Sequence, residues 1–163
     1  MLTPMVVSSV VVDSLTNSPI VVLKEIGGKE TLLIWIGLLE ANAIASELEG
    51  AKLSRPMTHD LLKNLLDLTD VKVRKVEVCD LRENTYFARI HFRHREKDMW
   101  IDARPSDALA LSLRINTPIF VDDKVIKKSK HMELQVEAED KSEQGKKWQK
   151  VLENLDPEDF GNS

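Results

Sequence analysis

Apolar positions in the first 36 residues fall in three short runs rich in β-branched side chains, "MVVSSVVVDS", "SPIVVLKEI" and "TLLIWIG". The polar Asn17-Ser18 pair and Gly27-Gly28 separate them, which predicts strands joined by tight turns. The unbroken run Leu32 to Ile36 predicts a strand covered on both faces. The period then changes. "LLEANAIASELEG" reads as a helix by its Ala, Leu and Glu content, closed at Gly50. A second helix over about 58–68 places Leu61, Leu62, Leu65 and Leu66 on one face.

A second β region follows. Val71 and Val73 share one phase of the alternation and Val76 and Val78 the other, so the pattern slips near Arg74-Lys75 and predicts a bulge or a strand start there. "RENT" turns the chain into "YFARIHFRH", where Tyr86, Ala88, Ile90 and Phe92 alternate with Arg89, His91 and Arg93, and "DMWIDA" pairs next. A helix over about 105–114 ends near Asn116, and "PIFV" reads as a short edge strand because of Pro118. Beyond Val121 the composition turns polar. The expected organisation is one domain over 1–128, a polar linker over 129–145, and an amphipathic helix and tail over 146–163. In that helix Trp148, Val151, Leu152 and Leu155 form a stripe that should dock on the body or a neighbouring subunit. Strands, two helices, strands, a helix and a strand make an α+β fold: a mixed β-sheet with helices packed on it, plus a C-terminal helical tail.

Bulk properties narrow the function without naming it. A chain of 163 residues, 42% hydrophobic, can bury one good core, and a net charge of -4 is no signature of a nucleic-acid or membrane binder. The charge is uneven, with eight Lys/Arg against four acids between Val71 and Lys97, and nine acids against four lysines from Glu133 onward. A basic strand region of this kind suits an anionic partner, although a solvated face is the commoner explanation. The single Cys79, inside the apolar "VEVCDL", reads as a buried core residue in a reducing compartment. No run is long enough to span a membrane, and the first residues lack a signal peptide's basic start, so the expected location is cytoplasmic.

The candidate chemistry lies at helix mouths. "DARPSDALALSLR" and "RPMTHDLLKNLL" each set Arg-Pro before a first turn that carries an acid. Proline at the first helical position and Ser106 or Asp107 as caps are ordinary, but a cation at the positive end of a helix needs an anion beside it. Taken singly, Glu40, Asp60 and Asp107 read as first-turn acids, His59 as a cap, and Arg55 and Arg104 as salt-bridge partners. Converging on one surface, they would make a phosphate site of two helix N-termini and two arginines, with carboxylates and a histidine for proton transfer. No P-loop, dinucleotide fingerprint, Cys/His zinc cluster or Gly-x-Ser-x-Gly motif competes.

"IGLLEANAIASEL", "RPMTHDLL", "FARIHF" and "DARPSDALALSLRINTPIFV", in that order, closely resemble the bifunctional nuclease family, whose members are described as cleaving both DNA and RNA. The resemblance covers roughly residues 5 to 128, and "WQKVLENLDPEDF" resembles the way some members finish. It implies an α+β fold, a homodimer or larger homo-oligomer, and a phosphodiester hydrolase of little sequence specificity acting on DNA and RNA. The family pattern falls on Glu40-Ala41, Arg55 to Asp60 and Arg104 to Ala108 without a departure. Because DNA lacks a 2′-OH, cutting both polymers calls for an external nucleophile, which favours water activated by Mg²⁺ or Mn²⁺ on carboxylates. The expected catalytic residues are Glu40, His59, Asp60 and Asp107, with Arg55, Arg104 and Ser106 on phosphate and Glu40, Asp60 and Asp107 as metal ligands. A metal-free variant would rely on His59 with Glu40 and the two arginines and would suit RNA better. The rivals are a non-catalytic module binding nucleic acid or protein through the basic strands and tail helix, and a binder of small anions.

Overall fold

The computed structural model describes residues 1–139, which form an α+β fold around a seven-stranded mixed sheet. Strands β1 (Leu2–Val12), β2 (Pro19–Glu25) and β3 (Thr31–Trp35) form an antiparallel meander, followed by helices α1 (Leu38–Leu48) and α2 (Thr58–Leu68). Strands β4 (Lys72–Arg82), β5 (Thr85–His94) and β6 (Lys97–Ala103) form a second meander. Helix α3 (Pro105–Ile115), strand β7 (Ile119–Asp122) and helix α4 (Asp123–Glu139) complete the order. The strand order is β3-β2-β1-β7-β4-β5-β6, so β7 joins the two meanders, antiparallel to β1 and parallel to β4.

Local sequence accounts for most of these boundaries. Glu83 and Asn84 at the β4–β5 turn, and Arg95 and Glu96 at the β5–β6 turn, all take left-handed backbone conformations, which matches a two-residue turn to the twist of its strands. Asn116 ends α3 in the same conformation (φ 54°) and its N–H is capped by Ser112 O. The register of β4 against β5 shifts between Val73 and Lys75, the slip that the valine pattern predicts. Leu32, Leu33 and Ile34 are all buried, as expected of a strand covered on both faces.

One expectation is corrected, and two are filled out. The "PIFV" strand lies at the centre of the sheet; Pro118 sits just before β7 and accepts a hydrogen bond from Val76 N, so no ladder donor is missing inside the strand. The stretch read as a linker from residue 129 is helical as far as Glu139, in keeping with its Lys, Glu, Met and Gln content and lack of Gly or Pro. In α2 only Leu66 of the four leucines packs against the core, while Leu61 and Leu65 are exposed. Residues 140–163, including the segment expected to form the tail helix, lie outside the described residues.

The core joins Val21, Leu23, Leu32 and Ile34 of the first meander to Val76, Val78, Ala88 and Ile90 of the second through Ile119 and Val121, with Ile44 and most of α3 against them. Helix α3 is the innermost, with Ala108, Leu109, Ala110 and Leu111 all fully buried. Cys79 is buried as expected and its S–H meets Phe87 O at 3.5 Å, with burial holding the thiol pKa up. Truncating the core should therefore be costly and truncating the α2 surface should not. Leu109→Ala is expected to lower unfolding free energy by about 2–5 kcal/mol in urea titrations, against roughly 0.5 kcal/mol or less for Leu68→Ala, which is 85% exposed.

Candidate active site

The N-termini of α1 and α3 line one cleft, and α2 joins their polar cluster through His59. Strand β3 delivers Gly37 and then Glu40 in the first turn of α1, the 49–57 segment leads into α2 with His59 in its first turn, and β6 delivers Arg104 and then Asp107 to α3. Arg104 is the hub. Its Nε and Nη2 donate to the two carboxylate oxygens of Asp107 at 2.8 and 3.2 Å, and its Nη1 donates to Glu40 Oε1 at 2.9 Å. Asp107 Oδ1 also accepts from His59 Nε2 at 2.9 Å. An ionised carboxylate can only accept, so Nε2 carries the proton and Nδ1 is the basic nitrogen of the neutral ring.

This geometry explains the charged helix mouth. Asp107 does not cap the α3 backbone; its carboxylate is taken by Arg104 and His59. The anions that Arg104 needs at a positive helix end are Asp107 and Glu40. Gly37 makes room for the second of them: a Cβ there would collide with Glu40 Oε2, so the absent side chain lets that carboxylate fold back over the mouth of α1.

The charges set one another. The Glu40 carboxyl is held below its ordinary pKa by the main-chain N–H at its own position and then by Arg104. Burial pushes Asp107 up, but the hydrogen bonds from Arg104 and His59 outweigh it and hold the group below its ordinary range. Asp107 and then Glu40 raise the Arg104 pKa, so that guanidinium is permanently charged. With neutral His59 the four side chains carry one net negative charge. An anion arriving there would meet the N-terminus of α3 and the Arg104 guanidinium, whose side chain is 64% exposed and has two N–H groups left after its three bonds.

Asp60 and Arg55 are elsewhere. Asp60 Oδ2 accepts from Met57 N at 2.9 Å and Oδ1 from Arg114 Nε at 2.8 Å, so the carboxylate caps α2 and pairs with an arginine whose side chain is only 3% exposed. Arg114 also donates to Ala110 O and Ala43 O, tying the end of α3 to α1 and α2. Arg55 lines a depression with Asp60 and Arg114, not the cleft at Arg104. Ser106 is buried and lines that cleft, a space of roughly 300 Å³ with Glu40, Asn84, Tyr86 and Trp35 around it. Sequence reasoning missed Arg114, Asn84, Tyr86 and Trp35. For Arg114 the signal was present, as an arginine near the end of an otherwise buried alanine-leucine helix needs an anion; for the other three only topology brings them near.

The metal expectation can be tested on the donors. Glu40 and Asp107 have the Arg104 guanidinium between them and Asp60 is bound to Arg114, and among the described residues no three His, Cys, Asp or Glu side chains cluster as a metal site. The proposed three-carboxylate set does not assemble.

The sequence model of the bifunctional nuclease domain matches residues 21–133. The chain belongs to the bifunctional nuclease domain family. Its relatives include an uncharacterized protein of Mycobacterium tuberculosis, 34% identical over 149 residues, covering 88% of this chain and 89% of the relative. Bifunctional nuclease 1 of rice, Oryza sativa subsp. japonica, is 23% identical over 116 residues, covering 69% of this chain and 35% of the plant protein. In this family member no described helix is long and apolar enough to cross a membrane.

The ionised carboxylates also govern acid stability. Asp60, with its pKa held low by Met57 N–H and then by Arg114 despite burial, contributes stability above the ordinary carboxyl range that is lost as pH falls through its lowered folded value. Asp60→Ala is expected to cost roughly 2–3 kcal/mol at neutral pH by leaving Arg114 short of its anion. The deficit relative to the parent should shrink in unfolding titrations below about pH 4.

Proposed function

We propose that this chain is a phosphodiester hydrolase acting on DNA and RNA with little sequence preference, and that the Arg104–Asp107–His59 constellation with Glu40 is its working part. The observation that supports it is His59 hydrogen-bonded to a carboxylate that the same exposed arginine grips, beside the cleft lined by the N-termini of α1 and α3. Asp107 fixes the imidazole with Nδ1 as base and stabilises the imidazolium that forms. Arg104 offers its two remaining N–H groups to a phosphate, Glu40 holds the guanidinium in place, and Ser106 borders the cleft.

With water as nucleophile, His59 takes its proton as the oxygen attacks phosphorus, the bond from phosphorus to the leaving sugar oxygen breaks, and that oxygen takes a proton from the imidazolium or from solvent. With RNA the 2′-OH supplies the attacking oxygen from within the substrate, so this metal-free arrangement cuts RNA faster than DNA. A divalent ion held by Glu40 and Asp107 would have to displace the Arg104 guanidinium that lies between them. Asp60 and Arg55 act as structural residues in this reading.

Two further features support assembly and location. Leu61, Leu65 and Leu68 form an exposed apolar stripe on α2 suited to a homodimer or larger homo-oligomer, and the buried reduced Cys79 fits a cytoplasmic setting.

Cleavage of labelled single-stranded RNA and DNA by purified protein, in EDTA and with Mg²⁺ or Mn²⁺, tests the reading. Cutting in EDTA is expected, with RNA ahead of DNA, and His59→Ala and Arg104→Ala should each lower the rate about 100-fold or more. Strict dependence on added metal would sink the metal-free route. Cutting unaffected by either variant would place the site elsewhere, and no cutting by the parent would favour the non-catalytic binding module.

A further inference from the structure

The sheet face turned away from α3 carries chemistry that the helix-mouth cluster does not use. Val76, Val78, Ala88 and Ile90 point into the core, so the alternating positions Lys75, Glu77, Arg89 and His91 point to the opposite face. Strand pairing extends that face: Lys72 lies opposite Arg93, His91 opposite Trp100 on β6, and Glu77 opposite Phe120 on β7. The β4 irregularity between Val73 and Lys75 breaks the alternation, and this brings the neighbours Arg74 and Lys75 into the same cleft. That cleft, roughly 390 Å³, is lined by Arg74, Lys75, His91, Arg93, Trp100 and Phe120, among others.

Charge and ring chemistry select the occupant. Lys72, Arg74, Lys75, Arg89 and Arg93 share this face with three carboxylates, Glu77, Asp98 and Asp102, so a chain with net charge -4 is locally cationic here. Glu77 is taken by His91 at 2.8 Å and by Lys75 at 3.6 Å, and Asp98 by Arg93. The Arg74 side chain is exposed and lies near Asp98, whose carboxyl is held below its ordinary pKa by Arg93 and then by Arg74. Trp100 is 53% exposed on the outermost strand, with the Arg89 guanidinium 4.2 Å from its ring centre, and Lys75 lies 5.7 Å from the Phe120 ring centre. An exposed tryptophan braced by Arg89 and flanked by an excess of positive charge suits a strand of alternating phosphates and flat bases.

We propose that this face is a second docking surface, for single-stranded polynucleotide, with Arg74 and Lys75 on the phosphates and a base stacked on Trp100. The choice of a polynucleotide over an acidic peptide rests on the phosphodiester-hydrolase reading. The surface holds a length of strand away from the helix-mouth cleft, through contacts that read no base edge, in keeping with cutting of little sequence specificity.

Fluorescence anisotropy of a labelled, cleavage-resistant phosphorothioate oligothymidylate with the full chain tests this, using variants that melt as the parent does. Arg74→Glu/Lys75→Glu and Trp100→Ala are each expected to weaken binding about tenfold or more, and Trp100→Phe much less. Arg74→Gln/Lys75→Gln, which serves if the charge reversal does not fold, should weaken binding and lower the slope of log affinity against log salt by about one to two. Unchanged binding in the charge and Trp100→Ala variants overturns the proposal, as does loss confined to Arg104→Ala, absence of parent binding, or tighter binding of polyglutamate than of oligothymidylate. His59→Ala separates the two readings: it should bind as the parent does while cutting is lost. If it cuts as the parent does, the hydrolase assignment fails while the docking result stands by itself.

Discussion

Burial of one helix on nearly every side is the constraint from which the rest of this structure follows. Seven of the 11 residues of α3 are buried, and small ones, Ala108, Ala110 and Ser112, alternate with Leu109 and Leu111. The small side chains let α1, α2 and the β4–β5 pair approach the same helix. Such a helix leaves charge only at its ends. The protein places Arg104 at one end and Arg114 at the other, and each arginine ties α3 to both neighbouring helices. Arg104 holds α1 through Glu40 and α2 through Asp107 and His59, while Arg114 holds α1 through Ala43 O and α2 through Asp60.

The two clamps have different energetic characters. Arg114 is almost wholly desolvated, so its anion and two carbonyls are obligatory for stability. Arg104 is mostly in water, where ion pairs contribute little, so its network is free to serve a purpose other than holding the fold. The same reasoning separates His59 from Asp60. They are adjacent in sequence but about 100° apart around a helix, and one turns to the open clamp while the other turns to the buried one.

Much of this was legible from patterning. β-branched runs, glycine pairs and the phase slip at Arg74-Lys75 report local backbone preferences, and those survive in the fold. The gathering of Glu40, His59, Arg104 and Asp107 was legible because each sits in or beside the first turn of a helix. Other features depended on long-range choices. The central position of β7 is decided by which strands close around it, not by Pro118 alone. Leu61 and Leu65 carry the same periodic signal as Leu66, yet which side of α2 meets the core is set by where His59 and Asp60 find their partners. Arg55 shares its Arg-Pro dipeptide with Arg104, but it precedes its helix by a longer segment and lands in a different depression.

Helix α2 has no fully buried residue; Leu66, the Asp60–Arg114 pair and the His59–Asp107 bond are its main attachments. A segment held by so few apolar contacts opens at a lower free energy than the sheet and α3 beneath it. The proposed base therefore rides on a part whose lifting would also take Asp60 from the desolvated Arg114, so the buried clamp is what keeps the base in place. In operation, the upper temperature for chemistry would be set by undocking of α2, at the point where that clamp gives way.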